Sequence, residues 1–157
     1  MFREMRRTKQ QTTREECIRV LTEAKRGVLS VIGDMGYPYA VPVNFLYDEN
    51  DDKVYIHCSK SGHKIDALNS NDKVCFTTWD NGYQKDDWSY YVTSVIIMGR
   101  AEFVTDRDTA YDRVRRFGLK YYPSEAEVDV EMERDFSRVN LIAVKPEHMT
   151  GKLVHEK

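Results

Sequence analysis

The chain has 157 residues, 24 Lys and Arg against 26 Asp and Glu, a formal net charge of -2 and a hydrophobic fraction of 41%. This length suits one domain with a sizeable core, and a charged fraction of 32% fits a soluble globular protein rather than a disordered one. The slight acidic excess argues against a dedicated nucleic-acid binder, which carries a basic surplus, and no apolar run is long enough to span a bilayer.

Residues 1–11 are basic and polar and read as a surface arm, with Arg3, Arg6, Arg7 and Lys9 solvated or set against a second subunit. They lack the apolar stretch of a secretory signal. Thr13-Arg14-Glu15-Glu16 has capping-box spacing and opens a helix to about Ala24, with Cys17, Leu21 and Ala24 on one face and Ile18 beside it. Residues 26–33 read as a buried strand and Asp34-Met35-Gly36 as a turn. Residues 37–47 then alternate: Tyr39, Val41, Val43, Phe45 and Tyr47 on one face, Ala40, Pro42, Asn44 and Leu46 on the other. Pro38 and Pro42 cannot donate to a ladder, so this strand should have an open edge or a bulge, leaving backbone groups free to meet a ligand. The acidic turn 48–53 lacks the Gly and the bidentate Glu of a calcium loop.

Residues 54–58 form the next apolar run, followed by a Ser-Lys-Ser-Gly loop and a short helix over 64–68 with Ser61 as its expected N-cap. Residues 73–79 read as a strand and 80–88 as a polar loop. Residues 89–104 read as a long strand or a bent pair, with Gly99 as the bend. Two helices follow, an amphipathic one over 106–121 and a highly charged one over 125–136. The last clear strand is 139–145, and a tail runs on from Pro146. Short consecutive strands with turn punctuation predict one domain over 1–157: a small antiparallel barrel with helices outside and a helical insertion at about 106–136.

The loop and helix at 59–64 carry the chemistry. Lys60, His63 and Lys64 gather at a helix start, where the macrodipole disfavours cations. Backbone N–H groups, a Gly, hydroxyls and Lys together make a phosphate cradle. Surface lysines in solvent are the plain alternative. No GxSxG, HExxH or GxxxxGK[ST] is present. His57, Cys58 and His63 make a poor zinc set, because neighbours on a strand face opposite ways. Cys17, Cys58 and Cys75 form no CxxC pair and read as reduced thiols, with a cytoplasmic location as the default. An anion cradle beside a proline-interrupted strand suits a phosphorylated aromatic cofactor that performs the chemistry itself.

Residues 37–44, Tyr-Pro-Tyr-Ala-Val-Pro-Val-Asn, followed by residues 54–68, Val-Tyr-Ile-His-Cys-Ser-Lys-Ser-Gly-His-Lys-Ile-Asp-Ala-Leu, resemble the pyridoxamine 5′-phosphate oxidase-like flavin-binding split barrels. The nitroimidazole-resistance branch is the most similar. Residues 1–7, the run 94–101 and His148-Met149-Thr150-Gly151-Lys152 extend the likeness over nearly the whole chain. The resemblance implies a mainly β fold, a six-stranded antiparallel split β-barrel with flanking helices. It also implies a homodimer with FMN at the subunit interface and a small-molecule substrate. The phosphate would meet Lys60, Ser61, His63 and Lys64. The ring would lie along the backbone of Val41, Pro42, Val43 and Asn44, and His57 and Ser59 would line the region between. Trp88, Tyr90 and Arg100 are the candidates from the second subunit. The implied activity is an FMN-dependent oxidoreductase or nitroreductase acting on small aromatic or nitro compounds, with His57 or His63 as candidate proton donors. The competing reading is a non-catalytic flavin or haem binder on the same barrel, with His148, His155 or His57 as axial ligand.

Overall fold

The computed structural model describes residues 1–156. The chain forms α1 (Arg14–Glu23), β1 (Arg26–Ile32), β2 (Pro38–Asn44), β3 (Leu46–Asp48), β4 (Lys53–Cys58), α2 (His63–Ser70), β5 (Lys73–Trp79), β6 (Tyr83–Gln84), β7 (Tyr90–Phe103), α3 (Arg107–Tyr121), α4 (Glu125–Asp135) and β8 (Asn140–Glu156). Short 3₁₀ turns lie at Thr8–Gln10, Asp34–Gly36 and Phe136–Arg138. The strands make one antiparallel sheet in the order β2-β1-β5-β7-β8-β4-β3, with β6 paired to β7.

The ends of that order explain the barrel. β2 and β3 are the outermost strands, yet only Phe45 separates them in sequence. A flat sheet with six strand spacings would hold its ends about 29 Å apart, whereas the link across one residue spans roughly 7 Å. The sheet must therefore curl until its ends meet. The alternating strand expected over 37–47 is thus two strands, and this split, together with β6, takes the expected six strands to eight. Alternation stops at the join: Phe45, Leu46, Tyr47 and Asp48 are all buried.

Phe45 belongs to neither ladder, and α3 supplies its hydrogen-bond partners. The Phe45 N–H donates to the Tyr121 hydroxyl at 2.9 Å, and that hydroxyl lies 2.7 Å from the Phe45 carbonyl and 2.5 Å from that of Lys25. The Lys120 ammonium donates to the carbonyls of Ala24 at 2.6 Å and Phe45 at 3.2 Å, and sits 4.3 Å from the Phe45 ring centroid.

Inside the barrel, Leu29, Val31, Phe76, Val95, Ile97, Ile56 and Ile142 pack with Val20 and Leu21 of α1. As expected, α1 is capped by Thr13, whose Oγ1 accepts the Glu16 N–H at 3.3 Å. A second cluster lies outside the barrel, where Phe117 of α3 covers Leu46, Tyr55, Leu141 and Ala143. The acidic turn is an anchor for α3. Asp48, 1% exposed, meets Arg116 at 2.6 Å and Arg113 at 3.0 Å. Burial pushes its carboxyl up, but the Arg116 hydrogen bond and the Arg113 charge hold it below its ordinary range.

β7 shifts register between Met98 and Gly99, at the expected bend. β8 does not end at Lys145. The tail from Pro146 continues as strand, paired with β7 out to Tyr90↔Glu156. Among the described residues no helix is long and apolar enough to cross a membrane.

The Lys120 anchor gives stability a defined pH dependence. Burial lowers its ammonium to about 8, and the nearby Lys25 charge adds to the effect. An unfolded lysine titrates near 10.4, so between these values the unfolded chain binds more protons, and stability rises with pH. Wild type should gain stability relative to Lys120→Met on going from about pH 8 to about pH 10, as read by urea denaturation at each pH. A constant difference would show that Lys120 is not desolvated.

Candidate functional site

Register sorts the outer face of the sheet into two halves. Tyr55 pairs with Ala143 and His57 with Leu141, so His57 lies on the side that α3 covers. On the other half, Pro42, Val28, Thr77, Ile96 and Thr150 form one row across β2, β1, β5, β7 and β8. Among the described residues no helix covers this half: Ile32, Trp79, Ile96 and Met98 are 44%, 51%, 40% and 44% exposed. A groove of about 370 Å³ is lined by Arg26, Pro42, Val43, Asn44, His57 and Lys64.

β2 is an edge strand, as its prolines require. Pro38 and Pro42 share one parity and lie opposite Ile32 and Val28. Val41 and Val43 have the other parity and are half-buried, and of the two only Val43 lines the groove.

The α2 start is built differently from the expectation. Gly62, not Ser61, is the N-cap, at φ 128°, ψ 167°, and no side chain caps the helix. That φ is strained for any residue with a Cβ. The Gly62 carbonyl accepts from Ile65 and Asp66, while the first N–H groups of α2 have no partner within the helix. The Ser59 hydroxyl donates to the Ser61 carbonyl at 2.7 Å and shapes the loop. Lys60 reaches away and donates to the Ser137 carbonyl at 2.7 Å. His63 stacks on Tyr39, with ring centroids 4.2 Å apart, and its Nε2 accepts the Asp34 N–H at 3.3 Å. His63 thus clamps α2 to the turn before β2. Lys64 enters the groove, and Arg26, which the sequence reading passed over as the first residue of a strand, joins it there. Among the described residues neither cation has a carboxylate partner within salt-bridge distance, unlike Arg19, Arg100, Arg113 and Arg116.

His57 stands at the end of this groove. One side is open, and the other meets Phe117 edge-on at 4.5 Å and 87°. Burial on the covered side lowers its pKa, and the Lys64 charge lowers it further, so the imidazole is neutral at pH 7. Cys58 points into the barrel, where burial raises its thiol pKa against the Lys64 charge. Cys17, Cys58 and Cys75 are all free thiols. Among the described residues no group of His, Cys, Asp and Glu could hold a metal.

Trp88, Tyr90 and Arg100 lie outside the groove of their own chain. Trp88 is 73% exposed, and Tyr90 is at the start of β7 on the parity of Ile96. Arg100 is bound to Asp72 and Glu147, each at 2.8 Å. Of the histidines considered as haem ligands, His148 stacks on Phe2, and His155 stacks on Tyr91 and lies 2.5 Å from the Ser89 hydroxyl. His57 lines the groove, and His155 lines a smaller space of about 210 Å³ beside Lys9 to Thr12.

A model of the pyridoxamine 5′-phosphate oxidase family matches residues 13–153. Among solved structures, a candidate 5-nitroimidazole antibiotic resistance protein from Bacteroides thetaiotaomicron is 24% identical, with TM-score 0.74 over 92% of this chain and 86% of that one. An FAD-binding protein from Mesorhizobium loti is 22% identical, with TM-score 0.66 over 92% and 96%. An FAD and haem binding protein from Mycobacterium smegmatis is 18% identical, with TM-score 0.73 over 92% and 73%. These likenesses agree in fold, a flavin-binding type of split barrel. No curated protein matches the chain.

Two unpaired cations, an uncapped helix start and an exposed strand backbone fit the phosphate and ring edge of a flavin. Lys64→Ala and Arg26→Ala should each weaken FMN binding about tenfold or more while leaving the circular dichroism spectrum unchanged, since each removes a charge-assisted contact. Unchanged FMN affinity in both variants would reduce them to surface cations.

Proposed function

The chain belongs to the pyridoxamine 5′-phosphate oxidase family, and from that footing we propose that it is an FMN-dependent oxidoreductase that reduces small aromatic or nitro compounds. The single observation that carries this reading is the meeting, in one groove, of Arg26 and Lys64 with the open-edge backbone of Pro42, Val43 and Asn44. The cations and the first N–H groups of α2 hold the phosphate. The backbone of β2 supplies both donors and acceptors for the polar edge of the ring. A bound flavin supplies the two-electron chemistry, with a reduced nicotinamide dinucleotide as the source of electrons.

The remaining residues orient and exclude. His63 fixes α2 against the β1–β2 turn through Tyr39 and the Asp34 N–H. Lys60 ties the cradle loop to the end of the helical insertion. His57, held against Phe117, is the side chain placed to pass a proton between groove and solvent.

We propose a homodimer. A bare apolar sheet face of this extent calls for a cover, and the row from Ile96 through Thr77 and Val28 to Pro42 joins that face to the groove. A second copy seated on it would close both together. Tyr90 and Arg100 lie at opposite ends of β7 on the same face, and with Trp88 of the adjoining loop they are the residues of the second copy placed to complete the site.

The purified, untagged protein should elute as a dimer and show the two visible bands of a flavin. FMN should be released on denaturation. NADH or NADPH should bleach the bands, and a nitroaromatic should restore them under anaerobic conditions. A colourless protein that takes up no added FMN would overturn the reading, and a Soret band would replace it with haem binding.

A further inference from the structure

A second cavity, of about 380 Å³, lies beneath α3 and α4. It shares two lining residues, Asn44 and His57, with the groove, so the two spaces adjoin at these residues. The volume lies in the range of small-ligand pockets. The α3–α4 contact does not collapse onto it. The helices pack tightly at Gly118, where an added Cβ would come 2.9 Å from Val128 Cγ1. The walls are aromatic and aliphatic: Phe117, Tyr121, Met132, Phe136 and Val139.

Two carboxylates, Glu131 and Asp135, are among the lining residues. Both are already engaged. Arg134 meets Glu131 at 2.6 Å and Asp135 at 2.8 Å, and Arg138 lies 3.7 Å from Asp135. The cations Arg26 and Lys64 line the groove and not this cavity. The cavity therefore offers flat apolar walls with no uncompensated charge, and burial together with the Lys64 charge lowers the pKa of the His57 imidazole that it shares with the groove. Such a site is complementary to a planar ring and adverse to an ion, whose desolvation nothing in the cavity would offset.

We propose that this cavity is a binding pocket for an uncharged planar aromatic compound. Its role as the place of the electron acceptor rests on the flavin reading of the groove, which it adjoins at Asn44 and His57. The α3–α4 insertion is then the element that selects the substrate, while the barrel holds the cofactor.

Equilibrium dialysis of the purified dimer tests this, with 4-nitroanisole as the uncharged probe and 4-nitrobenzoate as the anionic one, in phosphate buffer. The uncharged probe should bind roughly tenfold more tightly than the anion. Val114→Trp, from a partly exposed position of α3 lining the cavity, should weaken 4-nitroanisole roughly tenfold and leave FMN affinity within about twofold. Val139→Phe fills the cavity from its opposite wall and serves should Val114→Trp fail to fold. Unchanged 4-nitroanisole binding in a folded filling variant overturns the proposal. So does a parallel loss of FMN, which would assign the cavity to the cofactor. A protein that binds no FMN but loses 4-nitroanisole in the filling variants would keep the pocket and remove the flavin reading instead.

Discussion

Everything in this molecule depends on the closure at Phe45. The two end strands of a curled sheet are joined through that one residue, and its backbone N–H and carbonyl fall outside both ladders. A backbone group left unpaired in a buried join costs about 1–3 kcal/mol. Tyr121 and Lys120, consecutive residues at the end of α3, meet that demand from outside the sheet. The helical insertion is therefore more than an ornament on the barrel, because it satisfies the join that makes the barrel close. Asp48, at the far end of β3, ties the same helix down through Arg113 and Arg116.

That closure also creates the site. Because β2 must leave the sheet at Asn44 to reach β3, its last residues keep an open edge, and the prolines on that edge prevent another strand from pairing with it. β4 brings His57 to the same place from the other end of the sheet, and α2 follows with its uncapped N-terminus. The groove thus lies where the covered half of the outer face meets the bare half. One boundary brings together the cations Lys64 and Arg26, the open edge of β2, and His57 and Asn44, which also line the cavity under α3 and α4.

Local signals read well from the sequence. The Thr13 cap, β1, β5, the bend at Gly99 and both helices of the insertion follow from spacing and turn chemistry that involve near neighbours only. The likeness of residues 37–44 and 54–68 to a flavin-binding barrel led to Pro42, Val43, Asn44, His57 and Lys64, which the fold does bring into one groove. The illegible features are long-range. Leu46 and Tyr47 extend an apolar pattern that gives no sign of a strand break, since the break is imposed by closure. His148 to Lys152 read as a polar tail because partnership with β7, not alternation, makes them a strand. Arg26 gave no signal, because a cation at a strand start is ordinary until Lys64 is seen beside it. Lys60 looked like a phosphate ligand, and its contact with the Ser137 carbonyl crosses 77 residues.

The central claim is that the Phe45 closure shapes a flavin groove. FMN titration of wild type and Tyr121→Phe, followed by fluorescence at a temperature where both are folded, tests it most directly. The account predicts FMN binding by wild type and an affinity weakened at least about threefold in the variant, since the hydroxyl that fixes the end of β2 is lost. Equal affinities in two folded proteins, or no FMN binding by wild type, would contradict it.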